Sequence, residues 1–275
     1  MESLPELMTA RFGAAATELP ADAEALLNET LRVQLRHRSI RKFKPAALPA
    51  GLLEIILAAA QSAPTSSNLN AYTILVIESA ATKTELARLT GGQAHVAQCP
   101  VFLLFCPDIH RLTRLCELAG SPPPENNVEL LLLAAVDVAL AGMNAMTAAE
   151  SAGLGAVMIG GVRDAPVEIS RLLQLPAGVF PLFGLCLGWP AEESRPRPRP
   201  APTAMIHRER YQPEVIAAGL RNYRDLLQPL FAARGLRQSD GASADYFSHT
   251  AARLQTPAMR GQMREFLIAC GYTLR

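Results

Sequence analysis

The 275-residue sequence lacks the short motifs that identify many enzyme classes. It contains no GxSxG nucleophile elbow, no GxxxxGK[ST] phosphate loop, no HExxH zinc motif and no GxGxxG dinucleotide motif. Aromatic residues make up only 5% of the chain, and a single tryptophan is present. Function therefore has to be argued from polar residues that are scattered along the sequence.

Cysteine is sparse, and its spacing forms no recognisable pattern. The five cysteines lie at positions 99, 106, 116, 186 and 270, and no two have CxxC spacing. The five histidines are isolated from one another in sequence as well. The sequence therefore predicts neither a disulfide framework nor a metal site, and it favours a reducing cytosol as the setting.

Neither charge sign is in excess, and long apolar runs are few. Lys and Arg total 26 against 25 Asp and Glu, whereas a general nucleic-acid binder normally has a basic excess. The first 25 residues are acidic and lack the apolar core of a signal peptide. The longest apolar stretch, Leu130 to Met146, is interrupted by Asp137 and Asn144 and is expected to be too short and too polar to span a bilayer. We expect a cytoplasmic protein without nucleic-acid or membrane partners.

Apolar residues make up 49% of the chain and charged residues 19%, which predicts a folded protein. We expect a weakly ordered extension over 1–22 and a single domain over 23–275, with a Pro/Arg linker over 190–204 and a helical C-terminal excursion over 205–275. The predicted helices cover about 23–36, 52–59, 81–89, 127–151, 166–175, 213–234 and 246–271. The predicted strands cover 72–78, 100–106, 154–161 and 179–187. Without strict βα alternation, this order favours an α+β fold over a doubly wound sheet.

The predicted helix over 127–151 is unusually apolar. Its polar residues Glu129, Asp137, Asn144 and Thr147 fall on one narrow stripe, and the other positions are mostly apolar. Such a helix has to be covered nearly all round. Because one small domain offers few partners for it, the pattern predicts a subunit interface.

Two polar clusters follow the first two predicted helices. His37, Arg38, Ser39 and Arg41 combine an imidazole, a hydroxyl and two guanidiniums, and a guanidinium fork matches a phosphate or a carbonyl-bearing ring edge. A basic helix end that complements the helix dipole is an equally good interpretation. The second cluster, residues 64–68, supplies hydroxyls and an amide, and taken alone it is better explained as an ordinary turn.

Three further clusters have similar alternatives. Ile159, Gly160 and Gly161 end a predicted strand, where bare N–H groups could meet a ligand or simply form a tight turn. The alternating Arg-Pro run over 195–200 could close stiffly over a phosphate, or it could be a solvated linker. Residues 90–93 place the amide of Gln93 after a flexible turn, which could be only a loop.

Taken together, these clusters resemble the nitroreductase family of FMN-dependent oxidoreductases. HRSIRKF (37–43), followed by APTSSN (63–68), carries the resemblance. It continues through residues 89–98, 101–106, 134–163, 182–190 and 195–200, which are similar to the large oxygen-insensitive NADPH nitroreductase and flavin reductase P subgroup. The resemblance covers roughly residues 30–235, with a weaker match to the C-terminus. It implies a nitroreductase-like α+β fold with a central, mostly antiparallel sheet flanked by helices, in an intertwined homodimer with FMN at the subunit interface.

The resemblance also implies roles for individual residues. His37, Arg38 and Ser39 match residues that hold the FMN phosphate and ribityl chain. Arg41 matches a cation at the N1/O2 edge, where positive charge stabilises the reduced flavin. No side chain is assigned as a catalytic acid or base. The remaining positions matched to non-covalent FMN binding are Thr65, Ser66, Gln93, Met158, Ile159, Gly160, Gly161, Arg197 and Arg199.

Several positions depart from the family pattern. Met158 stands where a tyrosine is often found, and Asn68, beside Ser67 on the substrate side, stands where an aromatic or apolar residue is common. Arg234 matches one of the arginines that hold the NADPH 2′-phosphate, and Arg237 is a nearby candidate. NADPH is therefore the expected reductant, with NADH as an alternative. The N-terminal extension has no counterpart in the typical member.

The implied activity is transfer of a hydride from NADPH through FMN to nitroaromatics, quinones or similar small acceptors by a ping-pong mechanism. One alternative is a flavin reductase that supplies reduced FMN to a partner monooxygenase. A third hypothesis is a flavin-binding module without catalytic activity. Bleaching of bound flavin by NADPH would separate the enzymes from this module.

Overall fold

A computed structural model of the chain describes residues 2–237, 243–255 and 260–274. In chain order its helices are α1 (Leu4–Phe12), α2 (Glu29–Arg36), α3 (Leu52–Gln61), α4 (Ala80–Leu89), α5 (Ala94–Gln98), α6 (Ile109–Leu118), α7 (Val128–Ser151), α8 (Pro166–Leu172), α9 (Pro202–Met205), α10 (Ile216–Arg234), α11 (Tyr246–Gln255) and α12 (Met263–Ala269). The strands are β1 (Tyr72–Ile77), β2 (Val101–Pro107), β3 (Gly155–Ile159) and β4 (Phe183–Gly188). All four predicted strands are present, with ends shifted by a few residues.

The chain divides into two compact units. The first combines residues 1–37 with residues 195–259, and the second combines residues 38–194 with residues 260–275. The first unit is helical in its described parts and contains α1, α2, α9, α10 and α11. The second unit contains the sheet and the helices that pack on it.

The sheet of the second unit has the strand order β1-β2-β4-β3, and every neighbouring pair is antiparallel. This arrangement confirms the predicted α+β class with an antiparallel sheet. Central strand β2 is buried along its whole length, which its uninterrupted apolar run predicts. Strand β3 lies at an edge of the four-stranded sheet.

Helix α7 packs along the sheet with its small residues inward. Asn127 caps its first turn by accepting a hydrogen bond from the Leu130 N–H. Ala134, Val138 and Ala141 are fully buried. Two residues of the predicted polar stripe make hydrogen bonds inside the fold. The fully buried Asp137 accepts bonds from backbone N–H groups, and Asn144 donates to the Ala59 carbonyl at 3.1 Å.

Among the described residues, α7 is the one helix with the length and apolar composition to cross a membrane. From sequence, the stretch Leu130 to Met146 is expected to be too short and too polar for this. The helix is longer than that stretch, at 24 residues, and 39% of its most apolar window is buried inside the fold. The core helix of a folded domain has the same properties.

The N-terminal region differs from the sequence expectation in two ways. The predicted helix over 23–36 is broken, because Asn28 caps a new helix by accepting a hydrogen bond from the Leu31 N–H. The extension, expected to be weakly ordered, contains helix α1, which starts with a capping box between Ser3 and Glu6. Leu7 of this helix is fully buried.

Other differences lie outside the strands. Helices α5, α6 and α9 were not expected from sequence, and α9 begins inside the predicted Pro/Arg linker over 190–204. The predicted helix over 246–271 is two helices, and Arg260 has a left-handed φ of 64° before the second begins. Residues 256–259 of that predicted helix lie outside the described residues.

Candidate functional site

The C-terminal end of edge strand β3 is closely packed around two glycines. Gly160 and Gly161 follow the strand in a 3₁₀ turn. A Cβ on Gly161 would lie 2.7 Å from Gln93 Nε2 and 2.8 Å from the Thr90 carbonyl oxygen. Gln93 Nε2 also donates to that carbonyl at 2.6 Å. The fold thus brings two separately predicted segments, 90–93 and 159–161, into direct contact.

Met158 and Ile159 point in opposite directions at this strand end. Met158 is 40% exposed, whereas Ile159 is 1% exposed and belongs to the core. Alternation along a strand explains the difference. The exposed thioether and the bare backbone at Gly160 leave a surface against which a flat ring could lie.

The hydroxyl-rich loop after α3 has an unusual backbone. Ser67, Asn68 and Asn70 have φ values of 49°, 57° and 52°, which L-residues seldom adopt. The buried Asp137 carboxylate of α7 holds both ends of this turn: it accepts from the Ser66 N–H at 2.8 Å and from the Ala71 N–H at 3.3 Å. The loop that presents the half-buried Thr65 and Ser66 is therefore anchored by the core.

The Arg38–Arg41 segment runs beside β3. Ser39 forms a parallel bridge with Ala156, and the Ile40 N–H donates to the Ala156 carbonyl at 3.0 Å. Arg41 is exposed, and its backbone N–H donates to Glu192 Oε1 at 2.6 Å. Arg38 lines an open depression beside Glu192. The basic cluster is thus held to the sheet through its backbone, which leaves the side chain of Arg41 exposed.

His95 is a polar residue of this region that sequence reasoning did not select. Its Nε2 atom is buried and has no hydrogen-bond partner in the described structure. Burial lowers the pKa of His95, and the positive charge of Arg41 lowers it further. A buried nitrogen without a partner is costly, and a hydrogen-bonding ligand would satisfy it.

Two further cations lie at the glycine turn. A Cβ on Gly160 would approach the guanidiniums of Arg163 and Arg260 at 3.4 and 3.7 Å. Arg260 pairs with Asp164 at 2.8 Å, and Arg163 donates to the Leu182 carbonyl. Burial and the charge of Arg260 lower the pKa of Arg163. Sequence reasoning did not select Arg163, although its position two residues after the glycine pair could have indicated a cation at this turn.

The remaining predicted cations belong to the first unit. His37 caps the end of α2, and its carbonyl accepts a bond from Arg11. In the run over 195–200 the arginines are exposed and the prolines half-buried, as expected for an extended segment. Arg234, in the last turn of α10, and Arg237, which bridges to Ser243, are also exposed.

The structure therefore places the predicted residues in two sets. One set belongs to the second unit: Arg38, Ser39, Arg41, Thr65, Ser66, Ser67, Asn68, Gln93, Met158, Ile159, Gly160 and Gly161. The other belongs to the first unit: His37, Arg197, Arg199, Arg234 and Arg237. Among the described ranges, no group of three or more His, Cys, Asp or Glu side chains is arranged to hold a metal ion.

The described fold defines a class: an α+β protein with a four-stranded antiparallel sheet and helices. The model of the nitroreductase family matches residues 35–189, more than half of the chain, and the model of the family's C-terminal domain matches residues 197–275. The chain belongs to the nitroreductase family.

Individual relatives agree with this assignment. The chain is 38% identical over 231 residues to an oxygen-insensitive NADPH nitroreductase of Salmonella typhimurium, covering 84% of this chain and 94% of that protein. It is 41% identical over 187 residues to an FMN reductase [NAD(P)H] of Bacillus subtilis, covering 67% and 75%. The solved structure of B. megaterium NfrA2 superposes with a TM-score of 0.84 at 33% identity, covering 90% of this chain and 100% of that one. These similarities confirm the resemblance drawn from the sequence.

Proposed function

We propose that this protein is an FMN-dependent NAD(P)H oxidoreductase that reduces small electron acceptors such as nitroaromatics and quinones. The observation that carries the proposal is the convergence of the 90–93 loop on the glycine turn that ends β3, beside the exposed Met158. Family membership and the named activities of the relatives support it.

The residues present fit FMN. The isoalloxazine ring needs a surface with N–H donors at its edge. The atoms nearest to a Cβ built on Gly160 belong to the guanidiniums of Arg163 and Arg260, at 3.4 and 3.7 Å. The ribityl chain needs hydroxyl partners, which Thr65 and Ser66 supply. The phosphate needs charged or hydrogen-bonding partners, which are assigned to His37, Arg38, Arg197 and Arg199. The buried Nε2 of His95 has no partner in the described structure, so it is a further polar group that a hydrogen-bonding ligand would satisfy.

The chain's own residues contribute positioning and charge. Arg41 places a positive charge where negative charge develops on reduction, and the backbone at Gly160 and Gly161 orients the ring. Gln93 lies against Gly161 and holds the pyrimidine edge. When bound, FMN supplies the two-electron redox chemistry that links NAD(P)H to the acceptor. No side chain is assigned as an acid or base, since protons can come from water.

The reductant is proposed to be NADPH, with its 2′-phosphate held by Arg234 and Arg237. Both residues are exposed: Arg234 lies in the last turn of α10, and Arg237 lies three residues after that helix. NADH remains the alternative reductant. Comparing kcat/KM for the two nucleotides tests this assignment, and equal values would contradict it.

We further propose that the protein is a cytoplasmic homodimer. Helix α7 leaves a row of apolar side chains exposed on one face. These are Leu132, Val136, Leu140 and Met143, between 38% and 56% exposed. Packing against a second copy of the chain would remove these apolar side chains from water. Sedimentation of the purified protein is expected to give twice the mass of the 29.6 kDa chain.

The visible spectrum of the purified protein tests the cofactor and the reaction together. We expect the absorption bands of oxidised flavin, and their loss under anaerobic conditions when NADPH is added. A colourless protein that takes up no FMN on reconstitution would contradict the proposal. A yellow protein that neither NADPH nor NADH bleaches would favour the non-catalytic flavin module instead.

The second candidate is a flavin reductase that delivers reduced FMN to a partner monooxygenase. The similarity to an FMN reductase favours it. Turnover with free FMN separates the two functions from each other: a kcat/KM for free FMN well above that for a nitrofuran or a quinone would favour the flavin reductase.

A further inference from the structure

The N-terminal helix carries a buried arginine whose hydrogen bonds go to backbone carbonyls. Arg11, in the last turn of α1, is 5% exposed. Its Nε donates to the Leu35 carbonyl at 2.8 Å, its Nη1 to the Arg197 carbonyl at 2.9 Å, and its Nη2 to the His37 carbonyl. Its own carbonyl accepts from the Arg199 N–H at 2.7 Å.

These contacts join the two segments of the first unit that contain residues proposed to bind the FMN phosphate. One segment is the end of α2, which leads to His37. The other is the Arg-Pro run with Arg197 and Arg199. One guanidinium fork can bind both because its five N–H donors lie in a fixed plane.

The Arg-Pro run needs such a support. Pro196, Pro198 and Pro200 have no N–H, so the run cannot form a regular backbone ladder of its own. Arg11 binds it at the Arg197 carbonyl and the Arg199 N–H. Tyr223 adds one contact by donating to the Pro198 carbonyl at 3.3 Å. Inside the run, the Arg199 side chain also donates to the Arg197 and Pro198 carbonyls, at 3.4 and 3.2 Å.

Helix α1 is itself firmly attached within the first unit. Leu7 is fully buried, and the Leu4 N–H donates to Glu24 Oε2 at 2.7 Å. Arg32 of α2 donates to the Glu2 carbonyl at 2.6 Å. Arg11 is therefore presented from a fixed element.

Residues 1–34 precede the part of the chain that matches the nitroreductase family, whereas Leu35, His37, Arg197 and Arg199 lie within the matched parts. The Arg11 contacts therefore join an N-terminal segment outside the family match to residues inside it. We propose that Arg11 is a positioning residue for the FMN phosphate, which fixes the backbone from which His37, Arg197 and Arg199 reach the ligand. This inference rests on the proposed FMN function.

The test compares FMN with riboflavin, which has the same ring and ribityl chain but no phosphate. Dissociation constants of both flavins are measured by fluorescence titration of the full-length apoprotein. Arg11→Ala is expected to weaken FMN binding about tenfold or more and to leave riboflavin binding within about twofold. Arg11→Lys keeps the positive charge but lacks the guanidinium fork, so its FMN affinity is expected to lie between those of the wild type and Arg11→Ala. If the alanine variant does not fold, the lysine variant is used for the test.

The control is Arg32→Ala, which removes another attachment of the N-terminal segment without touching residues 35–37 or 195–199. It is expected to lower stability while leaving the ratio of the two dissociation constants unchanged. Normal flavin binding by the wild type with an unchanged ratio in both Arg11 variants would overturn the positioning role alone. Absence of flavin binding by the wild type would overturn the proposed function with it.

Discussion

The buried carboxylate of Asp137 accepts a hydrogen bond from the backbone N–H of Ser66 at 2.8 Å. These residues are 71 positions apart, and the bond connects core helix α7 to the loop that presents the hydroxyls proposed to bind FMN. The second oxygen of the carboxylate accepts from the Ala71 N–H at 3.3 Å. One core residue therefore fixes both ends of a turn with three left-handed residues.

Replacing Asp137 tests this anchor. In Asp137→Asn one of the two acceptor oxygens becomes a donor, so one N–H of the loop loses its partner. We expect a loss of about 1–3 kcal/mol in the free energy of unfolding and about tenfold weaker FMN binding. Denaturant unfolding and flavin titration measure these effects. Asn144→Ala, which removes a different hydrogen bond of the same helix, is expected to lower stability with unchanged FMN affinity; equal effects on affinity would contradict the anchor.

The two glycines at the end of β3 are expected to differ in their tolerance of a methyl group. Gly161→Ala places a Cβ within 2.8 Å of a backbone oxygen and must displace Gln93, whereas the atom nearest to a Cβ at Gly160 is a terminal guanidinium nitrogen of Arg163 at 3.4 Å. Gly161→Ala is therefore expected to lower stability by about 1–3 kcal/mol and to weaken FMN binding. Thermal unfolding with and without FMN measures this effect. A Gly160→Ala variant that is as unstable as Gly161→Ala would refute the packing argument.

Arg41 is expected to set the reduction potential of bound FMN. Because positive charge favours the anionic reduced form, Arg41→Ala should lower the two-electron midpoint potential, by about 30 mV for about 1.4 kcal/mol of lost stabilisation. Arg41→Lys should shift it less. Lys42→Ala removes the same charge from the adjacent exposed position and serves as the control. If the potential of Arg41→Ala equals that of the wild type, Arg41 does not face the N1/O2 edge.

His95 predicts a pH dependence of stability. Burial and the charge of Arg41 hold the pKa of His95 in the folded protein below the ordinary value of 6.5. At a pH between the folded and the unfolded pKa, the unfolded protein therefore binds more protons than the folded protein. The free energy of unfolding should therefore fall as the pH drops below about 6.5. Urea unfolding of the apoprotein at pH 7.5, 6.5 and 5.5 measures the slope. His95→Gln should reduce that slope; equal slopes in wild type and His95→Gln would contradict the prediction.

The strands could be predicted because their sequences leave few alternatives. Residues 101–107 are apolar without a helical period, and they form the buried centre of the sheet. Helix breaks were harder to find. The apolar spacing over 23–36 continues across Asn28, but in the structure a 3₁₀ helix ends at Leu26 and the Asn28 side chain caps a new helix at the Leu31 N–H. Short helices such as α5 have too few residues for a periodic signal.

In the candidate site, too, some residues could be selected from the sequence and others could not. Clusters such as 37–41 and 159–161 could be selected from residue chemistry, and the resemblance related them to one cofactor. Asp137 was noted only as a polar position on an apolar helix, since its partners Ser66 and Ala71 lie far away in sequence. Arg11 fell in a segment that was expected to be weakly ordered, so nothing in its sequence neighbourhood marked it.

The sequence alone determined which chemical groups are available and which segments are strands, because side-chain chemistry and apolar periodicity are local properties. The tertiary structure decided which groups meet: Gln93 with Gly161, Asp137 with both ends of its loop, and Arg11 with the two cationic segments of the first unit. Contacts of this kind depend on burial and on distances between residues remote in sequence, and no local pattern specifies them.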